Sequence, residues 1–318
     1  MDAIHNLAVS DKDQEEIRGR PRSGHNTPPS SSCSHVLRRG NILDRPPNRI
    51  VTQPMTSART STSQRLESSE DIEETVRKAR QTALEMMRKA AYDIGTKVKV
   101  VVDPQLPFMG YTMPQGGNFT IVVSGGAIGS GLLEGLLVHE MSHIYRIQAN
   151  HPSHNGQILE EAVDNLGKKA VLLDYQQKIV HDLLNDIQDL YADDISFKVL
   201  RNSPIISSDQ MTRFLQDWVK DEPAKSRDAV MDSWNNASIM THNARAIAQM
   251  ARHRVEDIGG LAEQANKSFL SQISPSVAGR FEYFRNLLQN LREDMTAEEY
   301  RALLADYLRQ FLEIAEKN

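Results

Sequence analysis

Leu136-Leu137-Val138-His139-Glu140-Met141-Ser142-His143-Ile144 decides how this chain is read. The stretch sets His-Glu-x-x-His inside an apolar run. On a helix, residues four apart stand one turn above each other on the same face, with Cβ atoms about 5–6 Å apart. Two imidazoles at that spacing can reach one small cation, and Zn²⁺ takes histidine nitrogen readily. Glu140, next to the first histidine, is placed to act on a water beside that cation without becoming a ligand. Leu132, Leu133, Leu136, Leu137, Val138, Met141 and Ile144 make the helix apolar nearly all round, which implies burial. Buried histidines and a buried glutamate are costly unless they are paired or hold a metal. The competing reading is a core helix whose polar groups satisfy one another.

Composition bounds what surrounds the motif. The 318 residues suffice for one large domain or two small ones, and 39% hydrophobic with 25% charged residues is ordinary for a soluble protein. A net charge of −5 argues against a chain-wide nucleic-acid surface. No apolar run is long enough for a membrane span. Met1-Asp2-Ala3-Ile4-His5-Asn6 lacks the basic and apolar regions of a secretory signal. The single cysteine, Cys33, excludes an intramolecular disulfide and a multi-cysteine metal site. A reducing, cytoplasmic compartment is the expectation.

Residues 1–68 are rich in Ser, Pro, Arg, Thr and Asn and show no apolar periodicity, so they read as a disordered arm. Within it, Arg18-Gly19-Arg20-Pro21-Arg22 resembles the core of an AT-hook, although Glu15 and Glu16 precede it and a solvated basic patch explains it as well. From Ile72 to Tyr92 the apolar spacing predicts a helix, then Val98, Val100 and Val102 alternate as a strand. A loop through Pro104, Pro107, Gly110, Pro114, Gly116 and Gly117 leads to a second strand at Phe119–Val123. Ser130 is the expected N-cap of the metal helix, which runs to about Gln148. A polar loop at 150–156 precedes a long helical stretch to about Leu200, broken near Gly167. Everything from about 207 onward is helical, and Thr296 with Glu299 forms a capping box for the last helix. The expected fold is mainly α, an α+β chain with a small β element just before the metal helix. Its expected parts are the arm 1–68, a core at 69–203 and a helical C-terminal region at 204–318.

Catalytic zinc usually has three protein ligands. In the pattern His-Glu-x-x-His-x-x-Gly-x-x-His the third ligand is a histidine six residues on. Arg146 and Ala149 stand where that pattern has its glycine and histidine, so it is excluded and the third ligand must come from further downstream. Two acidic pairs at helical i, i+4 spacing remain: Asp189 with Asp193, and Glu160 with Asp164. In either pair one carboxylate could ligate while the other accepts the free N–H of a ligand histidine and fixes its tautomer. Solvated acidic residues on a helix surface would give the same pattern.

His-Glu-x-x-His followed downstream by a helix bearing acid-x-x-x-Asp resembles the gluzincin branch of zinc metallopeptidases. Asp189-Leu190-Tyr191-Ala192-Asp193 is similar to the Glu-x-x-Ala-Asp motif of the soluble minigluzincin and the CAAX-prenyl-protease-like peptidases. The resemblance covers about 72–200 and implies a zincin-like core of helix, small β element and metal helix. It implies His139, His143 and Asp189 as zinc ligands, Asp193 as the orienting group and Glu140 as the base. Aspartate where the family has glutamate is one methylene shorter, so the ligand helix must lie closer. Glu160 is the alternative ligand. The resemblance also implies an edge strand, expected at Phe119–Ser124, that pairs with an extended peptide substrate.

The expected activity is zinc-dependent hydrolysis of peptide bonds by an endopeptidase. A further donor must stabilise the oxyanion, with Tyr191, His181, His154 and Arg146 as candidates. Two rival expectations stand beside it. One is a catalytically silent zincin-fold binding or regulatory protein, against which the intact Glu140 argues. The other is a DNA-associated peptidase recruited through Arg18–Arg22.

Overall fold

The computed structural model describes residues 69–95, 97–167, 171–201 and 203–316. The arm at 1–68, with Arg18–Arg22 and Cys33, lies outside the described residues. Helix α1 (Ser69–Lys89) opens on Glu70 and Asp71 and closes on Arg88 and Lys89, charges that suit the two ends of its dipole. It buries Val76, Ala79, Ala83 and Met87, a stripe at helical spacing.

Three strands follow: β1 (Val98–Asp103), β2 (Gly110–Gln115) and β3 (Asn118–Ser124). Their order is β1-β3-β2, with β3 parallel to β1 and antiparallel to β2. Two expectations are corrected here. The segment read as a loop contains β2, and Phe119–Ser124 is the central strand, not the edge. The β2–β3 link is the two-residue turn Gly116-Gly117, both at positive φ, the backbone of a type I′ hairpin that only glycine adopts at no cost. Pro114 is tolerated because β2 is an edge strand. β3 is buried at every position after Asn118, as a strand flanked on both sides must be.

Helix α2 (Leu133–Gln148), which carries the His-Glu-x-x-His stretch, packs against α1, β2 and helix α4 (Asp174–Leu200). Leu132, not Ser130, takes the N-cap position; the Ser130 hydroxyl instead accepts from the Leu132 N–H at 3.1 Å and donates to the Ala127 carbonyl. Between α2 and α4 lies α3 (Gly156–Gly167). The remainder is α5 (Ser208–Trp218), α6 (Ala229–His253), α7 (Leu261–Leu270), the short α8 (Pro275–Ala278), α9 (Phe281–Gln289) and α10 (Ala297–Ala315). The capping box of α10 forms as expected, Thr296 accepting from the Glu299 N–H and Glu299 from the Thr296 N–H.

The fold is mainly α with one small sheet. One apolar cluster joins α1, the sheet, α2 and the C-terminal turns of α4 through Ile195, Val199 and Leu200. A second joins α3 and the rest of α4 to α5–α10 around Trp234, Phe284, Tyr307 and Phe311. Helix α4 belongs to both, and the described residues fall within one compact unit. No described helix is long and apolar enough to cross a membrane.

Candidate metal centre

Helix α2 is buried from Gly135 through Ile144. Its apolar residues point to α1 and the sheet, which leaves His139, Glu140 and His143 toward α4 and β2. Facing them, α4 presents Asp186, Asp189 and Asp193, one stripe at helical spacing, all buried. The two helices thereby bring the residues singled out by the motif to one point. His139 Nε2 and His143 Nε2 stand 3.0 Å apart, and Asp189 Oδ1 lies 3.4 Å from the second and 3.9 Å from the first. A tetrahedral ion with bonds of about 2.0–2.1 Å spaces its ligand atoms about 3.3 Å apart, so the three atoms fit one zinc. Asp189 Oδ1 is buried and has no hydrogen-bond partner, which leaves it free to ligate. The shorter aspartate reaches because α2 and α4 pack directly on each other.

Both ligand histidines are oriented from behind. His139 Nδ1 lies 2.7 Å from Asp193 Oδ1; a carboxylate only accepts, so His139 keeps a hydrogen on Nδ1, and the inward-facing Nε2 is the nitrogen that can give up its proton to a cation. Asp193 is itself held by the Ser196 hydroxyl and by Gln249 Nε2 from α6. His143 Nδ1 meets His154 Nε2 at 2.7 Å. Asp189 Oδ2 accepts from Arg245 Nη2 at 3.2 Å, and the same guanidinium pairs with Asp186 and lies over the Trp218 ring. Glu140 Oε2 accepts from the Thr112 hydroxyl of edge strand β2 at 2.7 Å, while Glu140 Oε1 is buried without a partner.

These contacts set the protonation states. Burial works to lower His139, but the negative charges of Asp193, Asp189 and Glu140 outweigh it and raise it to about 9. Burial lifts Glu140 to about 7 and Asp189 to about 6, with His139 and Arg245 pulling the other way. Asp193 resists burial through His139 and falls to about 2. His143 is pushed well below its ordinary range by burial and by the charge on His139, and His154 by burial and His143. Glu140, Asp186, Asp189 and Asp193 share one buried arginine, Arg245, with His139 and His242 as their other cationic neighbours, and a divalent cation that displaced the His139 proton at Nε2 would take over its share of that charge.

The other expectations fare differently. Glu160 and Asp164 lie exposed on α3, outside the cluster. The Tyr191 hydroxyl is spent on the Arg292 carbonyl, and Arg146 pairs with Glu293 and the Tyr191 carbonyl. His154 serves the far side of His143, and His181 is exposed about two turns before Asp189. Thr112, Arg245 and Gln249 carry no sequence signal of their own. No curated protein and no solved structure matches the chain. A family model matches residues 73–313, from α1 into α10, and by that match the chain belongs to the family described as "Family of unknown function (DUF5781)".

Proposed function

We propose that this chain is a zinc-dependent endopeptidase of the gluzincin kind, with His139, His143 and Asp189 holding the ion. The observation that carries the reading is the convergence of two Nε2 atoms and an unpartnered carboxylate oxygen beside a buried glutamate. Zinc held there would supply Lewis acidity, polarising a scissile carbonyl and acidifying a water toward a pKa of about 7. Glu140 takes the proton from the attacking water on its open Oε1 and returns it to the leaving amine. Thr112 holds the other oxygen in place. Asp193 and His154 keep the two imidazoles turned inward. The partner is a peptide or protein substrate, and of the two edge strands β2, which carries Thr112 to the base, is the one proposed to pair with an extended peptide.

The test is hydrolysis of a fluorogenic peptide library by the purified protein, abolished by a chelator and restored by zinc. One observation favours a second reading. The cluster is almost closed, His139 being its most exposed member at 8%, which suits an ion held without turnover in a binding protein. That reading predicts zinc uptake with no hydrolysis of any peptide in the library.

Zinc affinity is expected to rise with pH. His139 must lose its Nε2 proton to ligate, and that proton is held up to about 9. Below that point each pH unit weakens apparent affinity by about tenfold per proton displaced. The metal-free protein has the opposite slope. A histidine raised from 6.5 to about 9 contributes stability that is complete below the lower value and lost as pH rises through the upper one. Glu140 and Asp189, raised to about 7 and about 6, also favour the protonated folded state and lose stability as pH climbs through those values. Melts with chelator should therefore fall in temperature between pH about 6.5 and about 9, above the range in which the histidines held low by burial, His143, His151, His154 and His253, give the opposite slope, while the increment given by zinc grows. A zinc increment that shrinks over this range contradicts the assignment of His139.

A further inference from the structure

His143 turns Nε2 toward the ligand cluster and Nδ1 away from it, where a line of buried side chains begins. His143 Nδ1 meets His154 Nε2 at 2.7 Å, and His154 Nδ1 meets the Ser153 hydroxyl at 2.7 Å. That hydroxyl meets His151 Nδ1 at 2.7 Å, and His151 Nε2 meets the backbone carbonyl of Glu293 at 3.1 Å. His151, Ser153 and His154 are all buried, on the short turn between α2 and α3.

The far end sets the direction of the whole line. A carbonyl can only accept, so His151 carries its hydrogen on Nε2 and its Nδ1 is an acceptor. The backbone N–H of Ser153, aimed at His151 Nδ1 at 3.3 Å, agrees with that assignment. The Ser153 hydroxyl then donates to His151 and accepts from His154 Nδ1. His154 Nε2 is left as an acceptor, so His143 donates from Nδ1 and keeps its lone pair on Nε2.

We propose that His154, Ser153 and His151 are positioning residues that lock His143 in the tautomer whose Nε2 can ligate, with the Glu293 carbonyl as the fixed end. The proposal rests on the metal reading of the cluster. At His139 one carboxylate, Asp193, fixes a hydrogen on Nδ1; at His143 four hydrogen bonds in series do the same. The fixed end is well fastened. Arg146 of α2 pairs with the Glu293 carboxylate, the Tyr191 hydroxyl of α4 donates to the Arg292 carbonyl at 3.0 Å, and Arg252 of α6 donates to the Leu291 carbonyl at 2.9 Å. The segment between α9 and α10 is thereby tied to three helices, two of which carry the ligands. This gives the C-terminal helices a task at the centre: they hold the acceptor that sets the orientation of a ligand.

The experiment reads tautomers first and zinc second. Long-range proton–nitrogen correlation spectra of the metal-free, full-length protein should show His151 protonated on Nε2 and His154 on Nδ1. Ser153→Ala removes the middle link with little change of volume and should weaken zinc binding by about 10–100-fold in chelator competition, the usual scale for losing a partner of a ligand. His154→Gln, which keeps an acceptor for His143 and a donor for Ser153, should bind zinc more tightly than His154→Leu. Wild-type His151 protonated on Nδ1, or Ser153→Ala with wild-type zinc affinity, would overturn the relay. A wild type that takes up no zinc would sink the metal reading alone, because the tautomers of the metal-free protein still decide the relay.

Discussion

Glu140→Gln is expected to keep its zinc, melt near the wild-type temperature and hydrolyse peptide about 10²–10⁴-fold more slowly, the scale of a lost general acid–base. Glutamine preserves the side chain's size and still accepts from Thr112, so β2 stays joined to α2. It is not a ligand, since the convergent atoms belong to His139, His143 and Asp189. Stability should hardly suffer, because the amide fills the same buried space and burial already disfavours the charge it removes. What disappears is the open carboxylate oxygen that receives the proton of the attacking water. Peptide hydrolysis surviving at near wild-type rate would remove Glu140 from the role of base. A binding protein would show the same partner affinity before and after the change.

Much of this site is legible in the sequence because it is built from local geometry. His139 with His143 and Asp189 with Asp193 are i, i+4 pairs, and helical spacing alone puts each pair on one face. The partners from elsewhere are not legible. His154 lies eleven residues from His143, and Arg245 and Gln249 each lie 56 residues from the aspartate they touch, distances that only tertiary packing closes. Strand β2 hid behind Pro104, Pro107 and Pro114, although Gly116-Gly117 between two potential strands is a recognised hairpin signal. Phe119-Thr120-Ile121-Val122-Val123 is a run with little polar interruption, the pattern of a strand covered on both sides, and that pattern points to the central place β3 occupies. That one helix, α4, serves two apolar clusters at once is likewise settled by tertiary packing and not by local pattern.

Asp189→Ala should cost the site its ion. Structural zinc sites with four protein ligands bind with about 10–16 kcal/mol, so one ligand is worth on the order of 3 kcal/mol, or about 10²-fold in affinity. The loss also leaves Arg245 with Asp186 and the more distant Asp193, 3.8 Å away, as its remaining anions. Asp189→Asn is the companion that keeps the size of the side chain while removing its charge, and it too should bind zinc far more weakly. Glu160→Ala, exposed on α3, should bind as the wild type does. The reverse pattern, Glu160→Ala losing zinc while Asp189→Ala keeps it, would show that the third ligand comes from α3.

The most direct test is elemental analysis of the full-length protein, purified without chelator and dialysed against zinc, with His139→Ala prepared alongside. One zinc per chain in the wild type and none in the variant is the result predicted by three ligand atoms at 3.0–3.9 Å from one another. A folded wild type that holds no zinc, or a variant that holds as much as the wild type, would contradict the metal centre and with it the hydrolytic function built on it.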